Sequence, residues 1–273
     1  MIQTIPMGTP RNDIAELARA AVGGLLTVPS AARALGVSGH EAAVRLGRLT
    51  RAGWLARAKR GLYLVLPVEA KPGNPGVADD AWVLAANLFA PCYVGGWTAA
   101  EHWGLTEQLF RSTFVVTAAP QRRQRETRLA TEFHVVRVRP KVLNGTTLVW
   151  RGSTRVAISD PERTIVDALV HPHWVGGVRH LAEILATHRA SKNFDASRLL
   201  KRAAERATGS AFKRLGYLAE RLWPSEKAII DAAHRRRTKG VIHLDPAVKS
   251  RGKMSKRWGL WVNVNIGDGR GDS

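Results

Sequence analysis

Apolar residues recur at helical spacing three times within the first fifty positions. Ile14, Leu17, Ala18 and Ala21 share one face and predict a helix over 12–21. Pro29 suits the first turn of a second helix that runs to Leu35, with Thr27 or Val28 before it. Gly36 ends that helix, since glycine takes a positive φ without strain. Ser38 is a natural N-cap for a third helix over 39–51. Its apolar positions Ala42, Ala43, Leu46 and Leu49 leave Glu41, Arg45, Arg48 and Arg51 on other faces, and Gly53 stops it. Residues 54–57 and 62–66 then predict two strands joined at Ala58-Lys59-Arg60-Gly61. Helix, helix, turn, helix and hairpin is the order of a winged helix-turn-helix. The ordered set carries the signal; each part alone is weak.

The pattern breaks at Lys71-Pro72-Gly73-Asn74-Pro75-Gly76, too rich in Pro and Gly for regular structure. This predicts a winged-helix domain over 1–68, a linker over 69–76, a larger domain over 77–266 and a flexible tail over 267–273. The larger domain opens with helices at 79–89 and 97–103. Strand-like runs follow at 114–117, 133–138, 147–150 and 154–158. Asp160-Pro161 starts a helix through Val170, with Asp160 as cap and Pro161 at the first helical position. Further helices are expected at 178–188, 196–207, 210–222 and 225–234, and strands at 241–244 and 260–266. Strands grouped ahead of helices predict an α+β fold.

Charge narrows the partner. The chain has 273 residues with 42 Lys and Arg against 22 Asp and Glu, a formal net charge of +20. A surface so positive calls for a polyanion, and double-stranded DNA fits a winged helix. A membrane partner is not expected, because no basic helix has a clean apolar face. On the third helix Ser38, His40 and Arg45 lie in the half that reaches base edges, with Arg45 a candidate for a guanine. Arg48 and Arg51 lie further along, toward the backbone. Arg57, Lys59 and Arg60 mark the hairpin tip, and Arg33 on the second helix is expected to grip the flanking DNA strand. A protein-binding adaptor with the same fold is the alternative, and binding insensitive to salt would favour it.

The one cysteine, Cys92, excludes an internal disulfide and a cysteine zinc site. No apolar run near the N-terminus has signal-peptide length, and none reaches a membrane span, so a soluble cytoplasmic protein is expected. No HExxH or Walker-type phosphate loop occurs, and His171-Pro172-His173 is the one close histidine pair. No metal and no cofactor are expected. Oligomeric state stays open.

Four runs carry a resemblance to a known family. These are the N-terminal stretch ending Arg60-Gly61-Leu62-Tyr63, the run from Tyr93-Val94-Gly95-Gly96 to Gly104-Leu105, the run Ile158-Ser159-Asp160-Pro161-Glu162-Arg163-Thr164-Ile165-Val166-Asp167, and Lys213-Arg214-Leu215-Gly216-Tyr217. In this order they resemble the AbiEi-type antitoxins, transcriptional regulators of bacterial toxin–antitoxin systems. The resemblance implies a winged helix that binds and represses its own promoter. It implies a C-terminal domain that opposes a nucleotidyltransferase-like toxin without a stable complex. It implies no enzyme activity. Residues 221–273 match the pattern poorly.

Several residues of the larger domain carry two readings. Asp160, Glu162, Arg163 and Asp167 form a capped helix start with an i,i+4 ion pair, or a cleft. The same acids would serve a magnesium-dependent nuclease, the alternative function, although a second strand with an acid-x-lysine pattern is missing. Lys213 and Arg214 serve close packing or an anion-binding face. Arg122, Arg123 and Arg125 lie in an expected loop that, with Arg235, Arg236 and Arg237, would make a second basic patch.

Overall fold

The computed structural model describes residues 10–67 and 76–266. The expected tail over 267–273 and all of the expected linker except Gly76 lie outside the described residues. The chain opens with α1 (Pro10–Ala20), β1 (Leu25–Thr27), α2 (Val28–Leu35), α3 (Gly39–Arg51), β2 (Leu55–Lys59) and β3 (Leu62–Val65). Then come α4 (Ala81–Leu88), β4 (Cys92–Val94), α5 (Gly96–His102), β5 (Thr113–Thr117), β6 (Arg125–Arg128), β7 (Thr131–Arg137), β8 (Thr146–Arg151) and β9 (Thr154–Ser159). The remainder is α6 (Pro161–Val170), α7 (Val178–Ala190), α8 (Ala196–Arg206), α9 (Gly209–Leu222), α10 (Lys227–Arg236), β10 (Ile242–His243), β11 (Lys253–Ser255) and β12 (Leu260–Val262).

The mixed α+β class read from the sequence holds. Contacts group the chain into two units, each discontinuous in sequence. One comprises Met1–Cys92, Val115–Leu143 and Leu148–Ala157, and the other Tyr93–Phe114, Asn144–Thr147 and Ile158–Ser273.

In the first unit, α1, α2 and α3 bury Leu17, Ala31, Ala42, Leu46 and Leu49 against Leu26, Leu55 and Tyr63. The sheet order is β1-β3-β2, antiparallel throughout, with a register shift between Arg57 and Lys59. This is a winged helix: three helices and a hairpin, with β1 closing the sheet. The short β1 was not expected, because three residues carry no readable period.

Local chemistry sets the helix ends. Thr27 and Ser30 cap α2 reciprocally, with Ser30 N donating to Thr27 Oγ1 at 3.2 Å and Thr27 N to Ser30 Oγ at 2.9 Å. Gly36 closes it at φ 62°, the left-handed region that glycine enters freely. Ser38 Oγ accepts from Glu41 N at 3.2 Å and starts α3 where expected.

Among the described residues, β4 to β9 form a six-stranded sheet in the order β6-β7-β5-β4-β9-β8. Strand β4 runs parallel to β9, and β6 antiparallel to β7. The expected loop over Gln121–Arg128 is in part a strand: β6 pairs Arg125 with His134 and Arg128 with Thr131. Its exposed polar residues show no apolar alternation, so cross-strand pairing alone makes it a strand.

The second unit packs around α6. Ile165, Val166 and Leu169 of α6 join Leu181, Leu185, Leu215, Leu218 and Trp258 in one core. The strand expected over 260–266 is shorter, Leu260–Val262, and the one over 241–244 is Ile242–His243. Strand β11, which the sequence did not announce, pairs antiparallel with β12. No helix among the described residues is long and apolar enough to cross a membrane.

Candidate nucleic-acid interface

Helix α3 buries Ala42, Leu46 and Leu49 and turns a different stripe outward. His40, Ala43, Val44, Arg48 and Arg51 are exposed, and Gly47 lies between them. These positions recur at steps of three and four, one face of a helix. Ala43, expected in the core, belongs to this outward face instead. Gly47 sits at its centre, and a Cβ built there meets nothing within 4 Å. The middle of the stripe is therefore low, so another molecule's backbone or base edges can come close.

Two of the predicted readers are already engaged inside the first unit. Arg45 was expected at a guanine, but its side chain is only 15% exposed. Its Nη1 lies 3.2 Å from Asp13 Oδ2 of α1, and its Nη2 lies 2.6 Å from Glu41 Oε1. The Glu41 hydrogen bond, chiefly, raises its pKa. Arg45 thus ties α3 to α1. Lys59 was expected to meet phosphate from the hairpin tip, yet its Nζ donates to Asn87 O at 2.5 Å and Leu88 O at 3.1 Å. It closes the C-terminal end of α4, where a cation suits the negative end of the helix dipole.

The other predicted residues remain at the surface. Ser38, His40, Arg48 and Arg51 are exposed on α3, as is Arg33 on α2. Arg57 and Arg60 are exposed on the hairpin, whose turn is closed by Gly61 at φ 79°. Arg122, Arg123 and Arg125 are exposed and belong to the first unit. Arg235, Arg236 and Arg237 are also exposed but belong to the second. Arg237 Nε donates to Arg257 O at 3.1 Å, and the Arg236 guanidinium lies 5.9 Å from the Phe212 ring centre.

The remaining predicted residues form a buried network in the second unit. Asp160 caps α6, its Oδ1 accepting from Arg163 N at 2.7 Å. Arg163 is fully buried; its Nε donates to Asp167 Oδ2 at 3.2 Å, and its guanidinium lies 4.3 Å from the Tyr93 ring centre. It also donates to Asn144 O. Tyr93 OH donates to the same Asp167 oxygen at 2.8 Å, and Arg206 Nε to Asp167 Oδ1 at 3.4 Å. Burial, with the Asp167 carboxylate beside it, pushes the Tyr93 phenol well above its ordinary range, so it stays protonated and donates. Two of the four sequence runs thus meet in one place.

Lys213 and Arg214 are buried and serve the fold instead of an open anion-binding face. Lys213 Nζ donates to Gly240 O at 2.7 Å, and Arg214 donates to Leu244 O at 2.8 Å and Leu169 O at 3.0 Å. Gly216, one helical turn on, packs under Trp258, whose ring a Cβ there would strike. Among the described residues no three metal-ligating side chains cluster.

Residues 12–65 match the family model described as "Transcriptional regulator, AbiEi antitoxin". The resemblance read from the sequence is thereby borne out over the winged helix. Among solved structures, the chain is similar to the RV2827C protein from Mycobacterium tuberculosis, with a TM-score of 0.61 and 20% identity. That alignment covers 94% of this chain and 92% of the other, so the two share a fold along nearly their whole length. No curated protein matches the chain.

Proposed function

We propose that this chain is a cytoplasmic DNA-binding transcriptional regulator that represses its own promoter and acts as the antitoxin of a toxin–antitoxin pair. The observation that carries the reading is the outward face of α3. It is exposed, low at Gly47, flanked by Arg48 and Arg51, and part of a segment that matches an antitoxin regulator family. A helix of this kind enters the major groove of B-DNA with its N-terminal half against base edges.

With Arg45 engaged by Asp13 and Glu41, base reading falls to His40, Ala43 and Val44. The two apolar side chains suit thymine methyl groups. Arg48 and Arg51 follow toward phosphate, with Arg33 and the wing residues Arg57 and Arg60 to either side. The first unit holds nineteen Lys and Arg against eight Asp and Glu, an excess of eleven, which gives the docking face its field.

The antitoxin reading rests on the family match, and its partner would be a nucleotidyltransferase-like toxin, opposed without a stable complex. The nuclease alternative loses its acids: Asp160 caps a helix, Asp167 holds Arg163 and Tyr93, and Glu162 faces Arg198. Footprinting on the DNA upstream of the chain's own reading frame tests the proposal. Protection of a discrete site there is expected. Uniform protection, or none, would remove the autorepressor role.

A further inference from the structure

The second unit contains a cleft of about 680 Å³ that the DNA-binding reading leaves unused. It opens at the N-terminus of α6 and is walled by the C-terminal end of α7 and one face of α8. Its size is that of a small-molecule site. Two buried polar atoms meet at its wall. Glu162 Oε1 and His188 Nε2 lie 4.0 Å apart, and neither has a hydrogen-bond partner among the described residues. Buried polar atoms are rarely left unpaired, because each costs free energy comparable to a lost hydrogen bond. One oxygen about 2.8 Å from both would complete the pair.

The groups around them define what could do so. Arg198 Nη2 sits 3.1 Å from Glu162 Oε1, without hydrogen-bond geometry, and the Arg198 side chain is 56% exposed. Its Nη2 also donates to Asn193 O and its Nε lies 3.7 Å from Asp195 Oδ2, so the guanidinium stays tethered to the segment before α8 while an anion exchanges for the Glu162 contact. Lys201, one turn along α8, is exposed and forms no ion pair among the described residues. Arg202, next to it, is held by Asp160 and Glu205. Burial lowers the His188 pKa and Arg198 adds to this, against the pull of Glu162, so the ring is neutral; with its proton on Nε2 it donates to a hydroxyl oxygen, whose own proton goes to Glu162 Oε1. Trp103 lines the other side, its indole fixed by a 2.7 Å hydrogen bond to Ser159 O.

We propose that this cleft binds a small phosphate ester of a sugar, its phosphate on Arg198 and Lys201 and a hydroxyl between Glu162 and His188. A flat base attached to the sugar would lie against Trp103, so a ribonucleotide belongs to the class. The site is separate from the winged helix, and its test does not depend on DNA binding.

Calorimetric titration of the full chain with ribose 5-phosphate, AMP and inorganic phosphate decides the matter. Both esters should bind at least about tenfold more tightly than phosphate, the value of one added hydrogen-bonded contact. Lys201→Ala, at an exposed position, should weaken both esters and phosphate about tenfold. Glu162→Gln should weaken the esters and leave phosphate unchanged. The proposal is overturned if the esters bind no better than phosphate, if none binds at millimolar concentration, or if neither variant changes ester affinity.

Discussion

Replacing Asp167 by alanine is expected to lower the stability of the second unit by about 3–5 kcal/mol, the cost of breaking a buried ion pair from one side. The expectation follows from what Asp167 holds. Arg163, with no exposed side-chain surface, is placed there by the i,i+4 spacing and cannot reach water when its partner goes. Tyr93 OH, also buried, loses its acceptor in the same step. Asp167→Asn keeps an oxygen for Tyr93 and should cost less. Denaturant unfolding followed by tryptophan fluorescence reads both variants. A loss below about 1 kcal/mol for Asp167→Ala would mean that the network contributes little, as an exposed pair does.

The second large effect concerns α3. Val44→Glu should reduce duplex affinity by about a hundredfold or more, because it aims a carboxylate at bases and phosphates, and such a charge conflict costs several kcal/mol. Val44 is 40% exposed and lies off the core face, so the fold should hold. Stability within about 0.5 kcal/mol of the parent, typical of surface changes, is the control. Retained binding in a folded Val44→Glu protein would place the DNA on another face.

The winged helix was legible because its determinants are local. Thr27, Gly36 and Ser38 set helix ends within a few residues of themselves, and α3 runs over Gly39–Arg51 as the caps predict. What each cation does was not legible. The spacing of Glu41 and Arg45 announces an ion pair, but Asp13 joins it only through the packing of α1 on α3. Nothing near Lys59 in sequence says that α4 ends beside it. For Lys213 and Arg214 the sequence left close packing and an anion-binding face both open; backbone carbonyls 27 to 45 residues away, which no local pattern announces, draw them inside. The outward stripe did leave a trace: Val44 is an apolar residue outside the core period of α3, a signal for contact that the charged positions overshadowed.

The cleft shows the same division. Asp160 and Glu162 stood out as a helix start, and the cap is there. His188 and Lys201 come from two other helices and carry no motif, so the sequence could not join them to Glu162.

A cationic helix face meeting phosphates makes duplex binding sensitive to salt, and one titration measures this directly. Arg33, Arg48, Arg51, Arg57 and Arg60 each add about 0.9 to the salt slope if they neutralise a phosphate. Raising salt from about 50 to about 200 mM should then weaken binding to promoter DNA roughly five-hundredfold. An affinity that stays constant across that range would contradict the docking of this helix on DNA.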